Sequence, residues 1–327
     1  RQAPLVEPTV TGPGATADRN QQLRPDAAAR AERGLTRLAA AGAAGVGVFA
    51  LIGALLGFAI VYVDYPFPYT AHRFTRSGPY FLWLVLLCGE VALWFALLPT
   101  IAKTLLAYRD RWRDARRQAL GVSVTILLLV MLPLLVGQHL HGTARYPLPG
   151  RTTKILVITL IGVAVALFAA VGITLVTSAI TRALERVGAV AADELDHFFT
   201  LRTALLRLLA IEGAILGAAI LATGALRHAV VSLRNEHAFP QEILLAYGGY
   251  LSAVVAVLYI PAYARLLELG RQLRDRIAPL DQAQPALLDT LEQRAKLTEL
   301  LDLEVGAGAS FRSSVLILTP LTSSLLG

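Results

Sequence analysis

The chain has 327 residues, of which 55% are hydrophobic and only 16% charged, with a net charge of +7. A soluble chain carries about 25% charged residues. Here the shortfall is concentrated in long apolar runs, which leaves no room for a large soluble domain and points to a membrane protein. The basic excess reports topology and not nucleic-acid binding, because the arginines flank the apolar runs.

Residues 1–25 are punctuated by Pro and Gly and show no hydrophobic periodicity, so they are expected to form a disordered tail. Residues 26–265 read as an all-α, polytopic transmembrane bundle with basic cytoplasmic helix extensions. Its apolar runs lie near 38–63, 80–102, 119–137, 155–180, 208–226 and 243–263. Each holds roughly the 20 apolar residues that a ~30 Å hydrocarbon core requires. The runs are continuous and do not alternate, which predicts helices and not a barrel. No cleavable signal peptide is recognisable before the first run, which is expected to serve as its own insertion signal.

The arginines set the expected orientation. Connections 103–118, 181–207 and 265–279 are rich in arginine, as is the N-terminal flank with Arg24, Arg30, Arg33 and Arg37. Connections 64–79, 138–154 and 227–242 are short and poorer in basic residues. The arginine-rich set belongs in the cytoplasm, giving six spans with both termini inside. Spans two, four and six are expected to run on into the cytoplasm as basic helices.

Residues 266–304 read as a cytoplasmic, amphipathic helical segment, with "ALLDTLEQRAKLTELLDLE" begun by Pro285. Residues 305–327 are apolar but rich in Ser and Thr. Seventeen residues from Phe311 span only ~26 Å as a helix, and Pro320 kinks it. This segment is expected to be re-entrant, a partial seventh span or a packed terminal helix. Its candidate pore-lining residues are Ser313, Ser314, Thr319, Thr322 and Ser323.

Two acidic residues stand inside the apolar runs. Glu90 lies in "LLCGEVAL" and Glu212 in "LAIEGAIL", each beside a glycine. An intramembrane carboxylate costs about 2.5–3.5 kcal/mol on insertion scales, so it faces the bundle interior and is paired, protonated or hydrated. No Arg or Lys inside a span is visible to neutralise either one. Both are candidates for ion or proton handling, against the plainer alternative of a hydrogen-bonded or protonated, packed side chain. Their estimated depths lie within roughly 10 Å of each other.

The remaining features weigh less. Gly53-x-x-x-Gly57 and Gly213-x-x-x-Gly217 predict close helix contacts, within the chain or between subunits. Tyr247, Tyr250, Tyr259 and Tyr263 read as interfacial anchors, with a kink at Pro261. The cluster Arg109, Arg111, Arg113, Arg116 and Arg117 is a candidate for lipid headgroups. His139, His141, His228 and His237 fall on one side of the membrane but lack cysteines or clustered carboxylates, so they are weak metal candidates. The one cysteine, Cys88, rules out an intrachain disulfide.

No nucleotide-binding, metalloprotease or serine-hydrolase motif occurs, so neither enzyme activity nor a cofactor is expected. The expected partners are membrane lipids and either further copies of the chain or another membrane protein. Arginine far outnumbers lysine, which suggests a GC-rich bacterial genome and an inner-membrane location. An oligomeric ion channel or pore-forming subunit is the leading reading, resting on the polar tail and the glutamates. An ion-coupled permease and a membrane-anchoring scaffold subunit are the alternatives.

Overall fold

The computed structural model describes residues 42–65, 67, 71–140, 150–185, 191–233, 239–280 and 287–303. All regular structure among them is helical. The chain divides into units 1–48 and 49–327, and the described part of the first, residues 42–48, is helical.

The helices in order are α1 (Gly42–Tyr62), α2 (His72–Thr75), α3 (Gly78–Ala107), α4 (Trp112–Leu140), α5 (Arg151–Glu185), α6 (Ala191–Val231), α7 (Gln241–Ile277) and α8 (Leu287–Leu300). A 3-10 turn, Arg109–Arg111, joins α3 to α4. Among the described residues, five helices are long and apolar enough to cross a membrane: α1, α3, α5, α6 and α7. The stretch 119–137, expected as the third span, is helical within α4. These helices are those of a multi-pass integral membrane protein. Their outward faces agree: Leu51, Leu55 and Phe58 of α1 and Phe81, Leu82 and Val85 of α3 are exposed, a surface suited to lipid and not to water.

Helix starts and crossings follow local chemistry. Ser77 caps α3, its hydroxyl accepting from the Tyr80 N–H, with Pro79 in the first turn where its missing N–H costs nothing. α3 buries Tyr80, Trp83, Leu84, Leu87, Val91, Trp94 and Ile101 at helical spacing. Leu84 and Leu87 pack with Ala225 and Leu226, whereas Val91 and Trp94 pack with Ile211 and Ile215. Rising numbers on α3 meet falling numbers on α6, so the two run antiparallel. α6 also packs along α5 and α7.

Glycines set two of the closest approaches. A Cβ at Gly53 would lie 2.5 Å from the Val91 carbonyl oxygen, and one at Gly57 3.3 Å from the Cys88 Cα. The first Gly-x-x-x-Gly pair therefore seats α1 on α3 within the chain.

At ~1.5 Å per residue, α6 is about 60 Å long, twice a ~30 Å hydrocarbon core. Its extra length lies before residue 208, where Phe198, Leu201 and Leu205 are buried against α5, α7 and the residues after α8, Leu301 and Leu303. α5 and α7 run on at this end as expected. α3 does not: at Tyr108 the backbone leaves the helical basin (φ −109°, ψ 15°), and the following arginines belong to the 3-10 turn and to α4. Ion pairs close this end, Arg202 with Asp302, Arg276 with Glu194 and Arg294 with Asp275.

Candidate functional site

Both intramembrane glutamates are buried in the chain's own bundle, Glu90 at 5% and Glu212 at 1% relative exposure. Glu90 lies on the buried face of α3, and Glu212 lies at the middle of α6. The levels of the two are fixed by Trp94, whose indole N–H donates to the Ile215 carbonyl at 3.4 Å. Glu90 is four residues before Trp94, and Glu212 is three residues before Ile215. On antiparallel helices those steps point in opposite directions, so the carboxyls are offset by about 10 Å along the pair at ~1.5 Å per residue. They are two separate polar points and not a facing, hydrogen-bonded pair.

Their surroundings differ. Tyr247 of α7 lies within electrostatic reach of Glu90, and its ring packs against the cluster of Ile220, Leu244 and Leu251. Glu212 sits among Leu208, Leu209, Ile211 and Ile215, all at most 5% exposed. Its Oε2 is buried and has no hydrogen-bond partner among the described residues. A buried polar atom left without a partner costs about 1–3 kcal/mol and calls for an explanation.

A second polar feature lies between α4, α5 and α7. A cavity of about 290 Å³ is lined by Thr125, Thr174, Thr177, Val257 and Pro261 among others. Each of these threonine hydroxyls donates to the carbonyl four residues earlier, Thr174 to Ala170, Thr177 to Ile173 and Thr125 to Gly121. Their protons are thus spent on the helices, leaving lone pairs. Pro261 has no N–H, so the Val257 carbonyl loses its helical donor. Apart from Gln118, the polar part of this lining is therefore mainly hydrogen-bond acceptor.

Of the four tyrosines expected as interfacial anchors, Tyr259 is instead a core residue. Tyr259 is 2% exposed within the core that includes Leu208 and Leu209, and it stacks on Tyr263 at 5.1 Å. Tyr247 is half-buried against the cluster of Ile220, Leu244 and Leu251. Packing against α6 decides both positions.

The arginine cluster splits. Arg109, Arg113, Arg116 and Arg117 are exposed, and Arg111 alone is half-buried. His228 is exposed in the last turn of α6. His141 and His237 lie outside the described residues, as does the side chain of His139. Among the described residues no three His, Cys, Asp or Glu side chains form a metal-binding group. Ser313, Ser314, Thr319, Thr322 and Ser323 also lie outside the described residues.

Lys154 was assigned to an outer loop by sequence, yet it is 4% exposed. Its Nζ donates to the Val61 carbonyl at 2.7 Å and lies 3.0 Å from Asp64 Oδ2. It also sits 5.6 Å from the centre of the Phe67 ring. A lone lysine at the start of an apolar run, with an aspartate just after another, was the available signal. The lysine caps the last turn of α1 from α5.

No protein-family model matches the chain, and no curated protein or solved structure matches it.

Proposed function

We propose that the chain is an ion-coupled permease in which Glu212, with Glu90, binds and releases a proton or small cation within the bundle. The observation that carries this reading is the buried Oε2 of Glu212, which has no hydrogen-bond partner among the described residues. A buried carboxyl oxygen with no partner among the described residues is explained by a ligand that comes and goes. The enclosed position favours a permease over a pore formed between subunits. A carboxylate ring that selects ions in a shared pore faces outward from each subunit, and both glutamates face inward. The helices that run through prolines, α3 at Pro99 and α7 at Pro261, fit the same reading. It assigns no catalysis to the chain.

The test is ion flux in proteoliposomes under an imposed proton or sodium gradient. Glu212→Gln is expected to lower flux at least about tenfold, because the amide cannot exchange a charge. Wild-type vesicles no leakier than empty ones, or an unaltered Glu212→Gln variant, would overturn the proposal. Deleting residues 310–327 separates it from the pore reading, which requires that deletion to abolish conductance.

A further inference from the structure

A cavity of about 190 Å³ lies where α5 and α7 end and α6 begins. Three guanidiniums line it from three separate elements: Arg111 from the 3-10 turn, Arg182 from the last turn of α5 and Arg276 from the last turn of α7. α6 contributes Asp193, Glu194 and His197. Basic residues at helix C-termini and acidic ones at an N-terminus are ordinary complements to the helix dipoles. That accounts for Arg182, Arg276, Asp193 and Glu194 taken singly.

It does not account for Arg111, which ends no long helix. Among the described residues Arg111 makes no ion pair, although it is half-buried beside the exposed Arg109 and Arg113. Nor does it account for the spare donors of Arg276. One nitrogen, Nη1, serves both Glu194 oxygens at 2.6 and 2.7 Å, so Nε and Nη2 donate to no protein group among the described residues. Guanidinium-bearing residues from three elements around one small concave space are suited to the oxygens of a phosphate group.

We propose that this cavity binds a phosphate-bearing anion, gripped by Arg111, Arg182 and Arg276. The ligand ties the 3-10 turn to the ends of α5 and α7 and so steadies the arginine-rich end of the bundle. A lipid headgroup and free phosphate share this chemistry. The site is separate from the glutamates, and its test reads binding and not flux.

The experiment follows the thermal midpoint of the full chain by tryptophan fluorescence in two arms. In neutral detergent, inorganic phosphate is titrated at constant ionic strength against chloride. In nanodiscs, phosphatidylcholine alone is compared with phosphatidylcholine containing phosphatidylglycerol. At saturation the midpoint is expected to rise by at least about 3 °C in one arm. A rise with phosphate assigns a free anion, and a rise only with phosphatidylglycerol assigns a headgroup. Arg111→Gln is expected to remove most of the rise while moving the ligand-free midpoint by no more than about 1 °C. If that variant does not fold, Arg182→Gln is read in the same way. No rise in either arm, or a rise that the folded variant keeps, overturns the proposal.

Discussion

The Trp94 indole N–H reaches the Ile215 carbonyl across the α3–α6 interface, at a level between the two buried glutamates. The same ring lies against α5, where a Cβ on Gly162 would come within 2.6 Å of it. One side chain therefore ties three helices together beside the candidate site. Trp94→Phe keeps much of the ring and loses the hydrogen bond, and is expected to cost about 1 kcal/mol. Trp94→Ala is expected to cost about 3–5 kcal/mol. Unfolding in detergent checks the order of the two variants.

Gly53→Val tests the seat of α1. The new side chain meets backbone at 2.5 Å, the Val91 carbonyl, which cannot turn aside as a flexible side chain would. A loss of about 1–3 kcal/mol is expected. Gly45→Ala meets nothing within 4 Å and is expected to be neutral or slightly stabilising, as for Gly→Ala in a helix. Equal midpoints for the two variants would argue against a close α1–α3 contact.

The ion pair of Lys154 and Asp64 is lopsided, with side-chain exposures of 5% and 44%. Removing the exposed partner leaves a buried ammonium with the Val61 carbonyl but no counter-charge, whereas removing the buried one leaves a carboxylate that water can reach. Asp64→Asn is therefore expected to destabilise more than Lys154→Met, by about 3 kcal/mol against about 1 kcal/mol. Chemical denaturation of both variants and the double mutant gives the coupling directly.

Tyr247→Phe probes whether Glu90 acts with the phenol within its electrostatic reach. If the two work as a unit, Tyr247→Phe and Glu90→Gln change flux in the same direction, and the double variant is no worse than Glu90→Gln alone. Additive losses would separate their roles. The measurement is the proteoliposome flux assay, repeated across pH.

The long apolar helices were readable from the sequence because the bilayer demands about 20 apolar residues per crossing. Their ends were less so. α6 begins at Ala191 and not near Leu208, because residues 191–207 carry too many charges for a hydropathy signal. They are helical through packing, with Phe198, Leu201 and Leu205 buried. The amphipathic segment near 286–304 was visible from its period, and α8 covers Leu287–Leu300.

Composition and local pattern determined that this is a helical membrane protein, and they singled out Glu90 and Glu212 as out of place in their runs. Those properties depend on short windows of sequence. Tertiary structure decided which neighbour each polar group meets. It set the two glutamates about 10 Å apart along one helix pair, brought Tyr247 within electrostatic reach of Glu90 and left the Glu212 Oε2 without a partner among the described residues. It also buried Lys154 against α1 and gathered Arg111, Arg182 and Arg276 around one cavity. Helix rotation and register are set by packing between segments far apart in the chain, so no short window of sequence carries them.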